Sequence, residues 1–110
     1  MSVIENKKID AIGTNKSEDE LILMIADHLE WNNEYEHLII LQDKMNSYFG
    51  YVESKEYNDI YPNKEFKSYI IEIHFKYKIT DKCKHFLEVA QNQVKKFNIK
   101  FVILDNIGDS

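Results

Sequence analysis

The chain has 110 residues, of which 44% are apolar, enough for one hydrophobic core and too few for two. We therefore predict a single domain over residues 1–110 with an ordered core from about 8 to 104. No apolar run approaches the roughly 18 residues of a membrane-spanning helix, and no apolar signal segment opens the chain, so we expect a cytoplasmic protein. A single cysteine, Cys83, excludes an internal disulfide and a zinc site built from cysteines.

The formal net charge of −5 hides a strong asymmetry along the chain. Residues 17–43 contain eight acidic side chains and no lysine, whereas residues 76–100 contain seven lysines and two acidic side chains. An acidic surface repels phosphate backbones and attracts basic proteins. The sequence thus argues against direct nucleic-acid binding.

The first predicted elements are two strands, "KIDAIGTN" and "DELILMIADH", joined by the polar segment "TNKSED" as a hairpin. The second strand has apolar residues on both faces, which is typical of a central strand. A helix follows, because Asn33 and Glu36 have the spacing of a capping box. Its apolar residues recur every three or four positions and define one buried face: Leu38, Leu41, Met45, Tyr48 or Phe49, and Val52.

The second half of the chain predicts a strand, a helix and a last strand. Alternation from Tyr69 to Tyr77 indicates a strand with lysines, Glu72 and His74 on its polar side. Thr80 or Asp81 is expected to cap a helix with an apolar stripe: Cys83, Phe86 or Leu87, Ala90, Val94 and Phe97. "IKFVIL" closes the chain as a strand. The order ββαβαβ predicts an α+β fold, with a four-stranded, mostly antiparallel sheet and both helices on one face.

The segments "DHLEW", "EHLIILQDKMNSY" and "YVESKEY" resemble a family of small bacterial domains of unknown function, with likeness from about Ile9 to Phe101. Lys55 stands where the family pattern has glycine, which argues against a left-handed turn after the helix. The resemblance implies no activity. It draws attention to a set of polar and aromatic positions: Asp27, His28, Trp31, His37, Gln42, Lys44, Asn46 and Glu53.

Candidate chemistry concentrates in "DHLEWNNEYEH", residues 27–37. A metal site there needs three converging ligands, and Asp27, His28 and His37 are the one plausible trio. The histidines lack the i, i+4 spacing of zinc-binding helices. The alternative is that a histidine forms a structural hydrogen bond to a carbonyl or carboxylate. Because no nucleophile motif and no glycine-rich phosphate loop is present, we expect a non-enzyme without cofactors.

A protein-binding domain is the leading functional expectation. We hypothesise an immunity protein or antitoxin that covers a basic cleft, such as a nuclease active site, because carboxylates carry the same charge as phosphates. The predicted partner-binding residues combine acids with aromatic anchors: Glu30, Glu34, Glu36, Asp43, Tyr51 and Tyr57. A small-ligand or metal-dependent domain built on Asp27, His28 and His37 is the alternative. The sequence leaves the oligomeric state open.

Overall fold

The computed structural model describes residues 9–105. Four strands and two α-helices follow one another in the predicted order, with a short 3-10 helix after each α-helix. The strands are β1 (Ala11–Thr14), β2 (Glu20–Asp27), β3 (Ser68–Phe75) and β4 (Ile99–Asp105). The α-helices are α1 (Glu34–Glu53) and α2 (Asp81–Val94), and the 3-10 helices cover Glu56–Asp59 and Lys95–Phe97.

The strands lie side by side in chain order, and only β1 and β2 run antiparallel. β2 pairs with β3, and β3 with β4, in parallel. The expectation of a mostly antiparallel sheet was therefore wrong. The physical reason lies in the connections, because a helix inserted between two neighbouring strands carries the chain back to its starting end, so that the next strand runs in the same direction.

The core lies between one face of the sheet and both helices. Leu23 of β2 is in register with Ile71 of β3, and Ile25 with Ile73, so these side chains project to the same face. They are buried there, together with residues from both helices: Leu41, Met45, Tyr48 and Val52 of α1, and Cys83, Leu87, Ala90 and Val94 of α2. The opposite face of the sheet carries partly exposed residues, including Ile22, Met24, Ile70 and Val102. The prediction that both helices cover one face is confirmed.

Side-chain hydrogen bonds cap both α-helices at predicted residues, and similar bonds hold the turn between β1 and β2. The Asn33 side chain accepts the N–H of Glu36 at 3.1 Å and thereby caps α1, while the Glu36 carboxylate accepts from the side-chain amide of Asn33 at 3.3 Å and not from its backbone N–H as in a full capping box. Thr80 accepts the N–H of Cys83 at 3.1 Å and caps α2. In the β1–β2 turn, the Asn15 side chain accepts two successive backbone N–H groups, which holds the hairpin closed.

Three expectations about element ends are corrected. Lys55 adopts the left-handed conformation, with φ 60° and ψ 33°, so the turn after α1 is kept despite the missing glycine. β3 ends at Phe75, which leaves Tyr77 beyond the sheet and exposed. α2 ends at Val94, and the tighter winding of the following 3-10 helix rotates Phe97 out of the buried stripe, where it is exposed. Among residues 9–105, no helix is long and apolar enough to cross a membrane.

Candidate functional site

A buried aspartate–histidine pair joins the end of β2 to the first turns of α1. Asp27 is the last residue of β2, and its carboxylate contacts Nε2 of His37 at 2.6 Å. Nδ1 of His37 donates to the main-chain oxygen of Glu30 at 3.1 Å. The other carboxylate oxygen of Asp27 accepts the N–H of Leu29 at 3.1 Å. Both side chains are almost completely buried, so the pair is sheltered from water.

The hydrogen-bond partners of His37 define what it can do chemically. A carbonyl oxygen only accepts, so Nδ1 must carry a proton, and Nε2 shares a proton with Asp27. Neither ring nitrogen is left to take a proton from a substrate or to bind a metal. The indole of Trp31 stacks on the imidazole, with ring centroids 3.6 Å apart and planes inclined by 20°. The arrangement therefore fixes the loop between β2 and α1, as expected for a structural histidine.

The predicted metal trio does not form. Asp27 and His37 bind each other, while His28 is exposed. Across the described part of the chain, no group of three histidine, cysteine, aspartate or glutamate side chains is placed to hold a metal ion. The alternation of β2 is the physical reason, because a residue one position beyond Asp27 projects to the opposite side.

Cys83 lies in the same buried region, at the start of α2. Burial is the main cause that raises the pKa of its thiol to about 12, and the negative charges of Asp27 and Glu34 add to it. A thiol that stays protonated is a poor nucleophile. Cys83 therefore packs as a small core residue.

A second buried ion pair ties α1 to the chain before β1. Nζ of Lys44 lies 2.9 Å from the carboxylate of Asp10, and both side chains are almost inaccessible to water. Asp10 also accepts the N–H of Ala26 at 2.9 Å, and its own N–H donates to the hydroxyl of Tyr48 at 2.8 Å. The Tyr48 hydroxyl donates in turn to the carbonyl of Met24. Lys44, which the resemblance singled out, is thus a structural residue.

The solvent-exposed side chains of α1 lie on the side of the helix opposite to these two buried pairs. We call this surface the acidic face, and its members are all exposed: Tyr35, Glu36, Ile39, Asp43, Asn46 and Glu53. Tyr35 is 76% exposed and Ile39 is 40% exposed, next to each other at a spacing of one helical turn. Lys44 is the one lysine of α1, and because it is buried the acidic face carries negative charge only.

The sequence matches, over residues 1–105, the family described as "Family of unknown function (DUF6572)". The chain belongs to DUF6572. No curated protein and no solved structure matches it.

Within this DUF6572 chain, the predicted partner-binding residues fall into three groups. Glu30, Glu36 and Asp43 are exposed. Glu34 is partly buried, 3.8 Å from the ammonium of Lys82, and Tyr51 is partly buried near the acids of the following 3-10 helix. Three of the four predicted acids therefore lie on an accessible surface, whereas Glu34 and Tyr51 are only partly accessible.

Tyr57 forms the third group and corrects the prediction. It is 2% exposed, its hydroxyl lies 3.0 Å from that of Tyr69, and its ring meets Phe66 edge to face. Such a residue cannot anchor a partner, because it is already packed in the core. Tyr35 and Ile39 were missed by the sequence analysis. Their signal was present in the helical periodicity, since both lie opposite the buried stripe that contains Leu41.

Proposed function

We propose that this DUF6572 chain is a non-enzymatic protein-binding domain whose acidic face binds a basic protein. One observation carries the proposal: Tyr35, an aromatic side chain left 76% exposed, stands among acids on a helix surface without lysine. Tyrosines are frequent anchors of protein interfaces, and neighbouring acids speed the encounter with a basic surface. The buried pairs on the other side of α1 support this role by holding the helix rigid.

The more specific form of the proposal is a cytoplasmic bacterial immunity protein or antitoxin. Its mechanism is occlusion: Tyr35 and Ile39 enter an apolar site beside the target's cleft, and Glu36 and Asp43 face the lysines or arginines that normally bind phosphate. Glu30, at the adjoining loop, extends the negative surface. Occlusion needs neither a cofactor nor a catalytic group, which suits a helix whose histidine is fully engaged by structural contacts.

The test compares variants of the acidic face with matched variants elsewhere. Native protein, Tyr35→Ala and the double variant Glu36→Lys/Asp43→Lys are used to capture partners from host lysate, which are identified by mass spectrometry. Phe97→Ala removes another exposed aromatic side chain, and Glu65→Lys reverses another exposed acid, so these two variants serve as controls. For a partner bound at the acidic face, Tyr35→Ala should weaken binding by about 30-fold or more, which corresponds to about 2 kcal/mol.

The immunity function is then tested by expressing the identified partner in bacterial cells. Its expression alone should arrest growth, and co-expression of the native chain should restore growth, while the double charge-reversal variant should not. A partner that both acidic-face variants still hold as tightly as the controls do would refute the proposed surface. A partner that binds there and causes no growth arrest would leave a binding domain and eliminate the immunity role.

A further inference from the structure

The edge of the sheet at β4 offers a second, separate surface. β4 is the outermost strand of the described sheet and pairs only with β3. Tyr69 of β3 donates its N–H to the carbonyl of Asn98, so even-numbered positions in and beside β4 direct their backbone groups toward β3. The odd-numbered residues therefore direct their N–H and C=O groups toward the open edge.

Gln91 of α2 covers the first part of that edge. Its amide donates to the carbonyl of Ile99 at 2.9 Å and accepts the N–H of Phe101 at 2.8 Å. These two bonds reproduce what a neighbouring strand would make. In the described part of the chain, five outward backbone groups remain along the rest of β4: the carbonyl of Phe101, and the N–H and carbonyl of both Ile103 and Asp105.

We propose that a second copy of this chain pairs with β4 about a two-fold axis at Ile103, joining two sheets into one of eight strands. In an antiparallel pair centred there, each Ile103 exchanges both hydrogen bonds with its counterpart, and each Asp105 donates to the carbonyl of Phe101 in the other copy. This register uses four of the five groups that Gln91 leaves, and it omits only the carbonyl of Asp105, whose counterpart, the N–H of Phe101, is bound by Gln91. It is self-complementary, as the surface of a symmetric dimer must be.

The side chains of β4 fit the same register. On the open face of the sheet, Val102 of each copy stands opposite Leu104 of the other, and Leu104 is 41% exposed in the single chain. On the helix side, the two Ile103 side chains meet beside an apolar groove of about 580 Å³ that Ile79, Leu87 and Phe101 also line. Apolar cross-strand pairs of this kind stabilise antiparallel strands.

Charge also favours a second copy at this edge. The groove is flanked by Lys84 and Glu88, one positive and one negative side chain, so two copies meet there without net repulsion. Two acidic faces, by contrast, would repel each other. At the β4 edge, unlike at the acidic face, a chain of net charge −5 can therefore approach another copy of itself without local repulsion.

Sedimentation velocity over a series of protein concentrations, combined with amide hydrogen exchange by NMR, tests the proposal. A monomer–dimer equilibrium is expected, in which the amides of Ile103 and Asp105 become protected as the dimer forms. The Phe101 amide, bound by Gln91, should be protected at every concentration. Leu104→Lys should raise the dimer dissociation constant at least about tenfold, because each interface receives two lysines in place of apolar side chains. Ile60→Lys, at a side chain 52% exposed away from β4, is the matched control and should change nothing.

A second variant removes the edge hydrogen bond itself. Ile103→Pro lacks the outward N–H but leaves the ladder to β3 intact, so it should abolish the dimer while circular dichroism confirms the fold. A chain that stays monomeric throughout the series, with an Ile103 amide that exchanges freely, overturns the proposal. So does a dimer that survives both variants, or an Ile103 amide that is protected only when a different protein adds its strand.

Discussion

The buried pair of Asp27 and His37 allows a quantitative prediction, because the same protein contains a partly exposed counterpart. His74 and Glu72 form a histidine–carboxylate contact of 3.2 Å, and their side chains are 38% and 27% exposed. The contact of His37 with Asp27 is 2.6 Å long, and its side chains are 2% and 0% exposed. His37→Ala and His74→Ala thus remove the same group from a buried and from a partly exposed environment.

His37→Ala leaves the carboxylate of Asp27 buried without its partner and removes the ring on which Trp31 stacks. The loss of one member of a buried pair costs about 3–5 kcal/mol. For a domain of this size, that corresponds to a fall in Tm on the order of 15 °C. At the partly exposed pair, water can replace the lost partner, so His74→Ala should cost about 1 kcal/mol or less.

Urea denaturation followed by far-ultraviolet circular dichroism measures both free energies of unfolding with a signal that does not depend on Trp31. Asp27→Asn provides a further comparison. An asparagine can accept the N–H of Leu29 and donate to a neutral His37, so all contacts are kept and the expected cost is about 1 kcal/mol. In a double-mutant cycle, the combined Asp27→Ala/His37→Ala variant should be less destabilised than the sum of the single variants, because neither residue then lacks a partner.

Equal losses in His37→Ala and His74→Ala would refute the reasoning, since burial would then not control the strength of the pair. Strict additivity in the double-mutant cycle would refute it independently, by showing that the two side chains do not interact.

Three further predictions concern backbone strain, the thiol and alkaline pH. Lys55→Gly should leave the free energy of unfolding in urea unchanged or raise it by up to about 1 kcal/mol. The left-handed conformation costs a non-glycine residue about 1–2 kcal/mol, and part of this gain is lost because glycine gives the unfolded chain more conformational entropy. A clear loss of stability would contradict this account. Cys83, whose pKa is raised to about 12, should react with a chromogenic disulfide reagent at pH 8 only as fast as the chain unfolds, and rapid labelling of the native protein would show that the thiol is accessible. Burial raises the pKa of Tyr48 far above its ordinary value of 10, and burial with the hydrogen bond to Tyr69 raises that of Tyr57 to about 12. Because both phenols ionise more readily in the unfolded chain, stability should be complete below pH 10 and fall as the pH rises from 10 toward 12, and Tyr57→Phe should lessen that fall in denaturation curves at each pH.

The sequence contained the local signals that begin and orient the elements. The caps at Asn33 and Thr80 each join residues only three positions apart, so they were predictable from local spacing. The buried stripe of α1 followed from helical periodicity in the same way, and its reverse side would have revealed Tyr35 and Ile39. The parallel direction of β2, β3 and β4 could also have been predicted, because a helix between two neighbouring strands implies parallel pairing.

What the sequence alone determined is therefore the order of elements, their caps, the apolar faces and the concentration of acids in residues 17–43. Tertiary structure decided which polar residues meet. Asp27 and His37 are ten positions apart, and Asp10 and Lys44 are thirty-four apart, so no local pattern pairs them. Only the packing of α1 on the sheet makes them partners, because burial leaves each charged group no water and therefore requires an opposite charge or a hydrogen bond beside it. The same packing buries Tyr57 and leaves Tyr35 exposed, which moves the candidate binding surface to the outer side of α1.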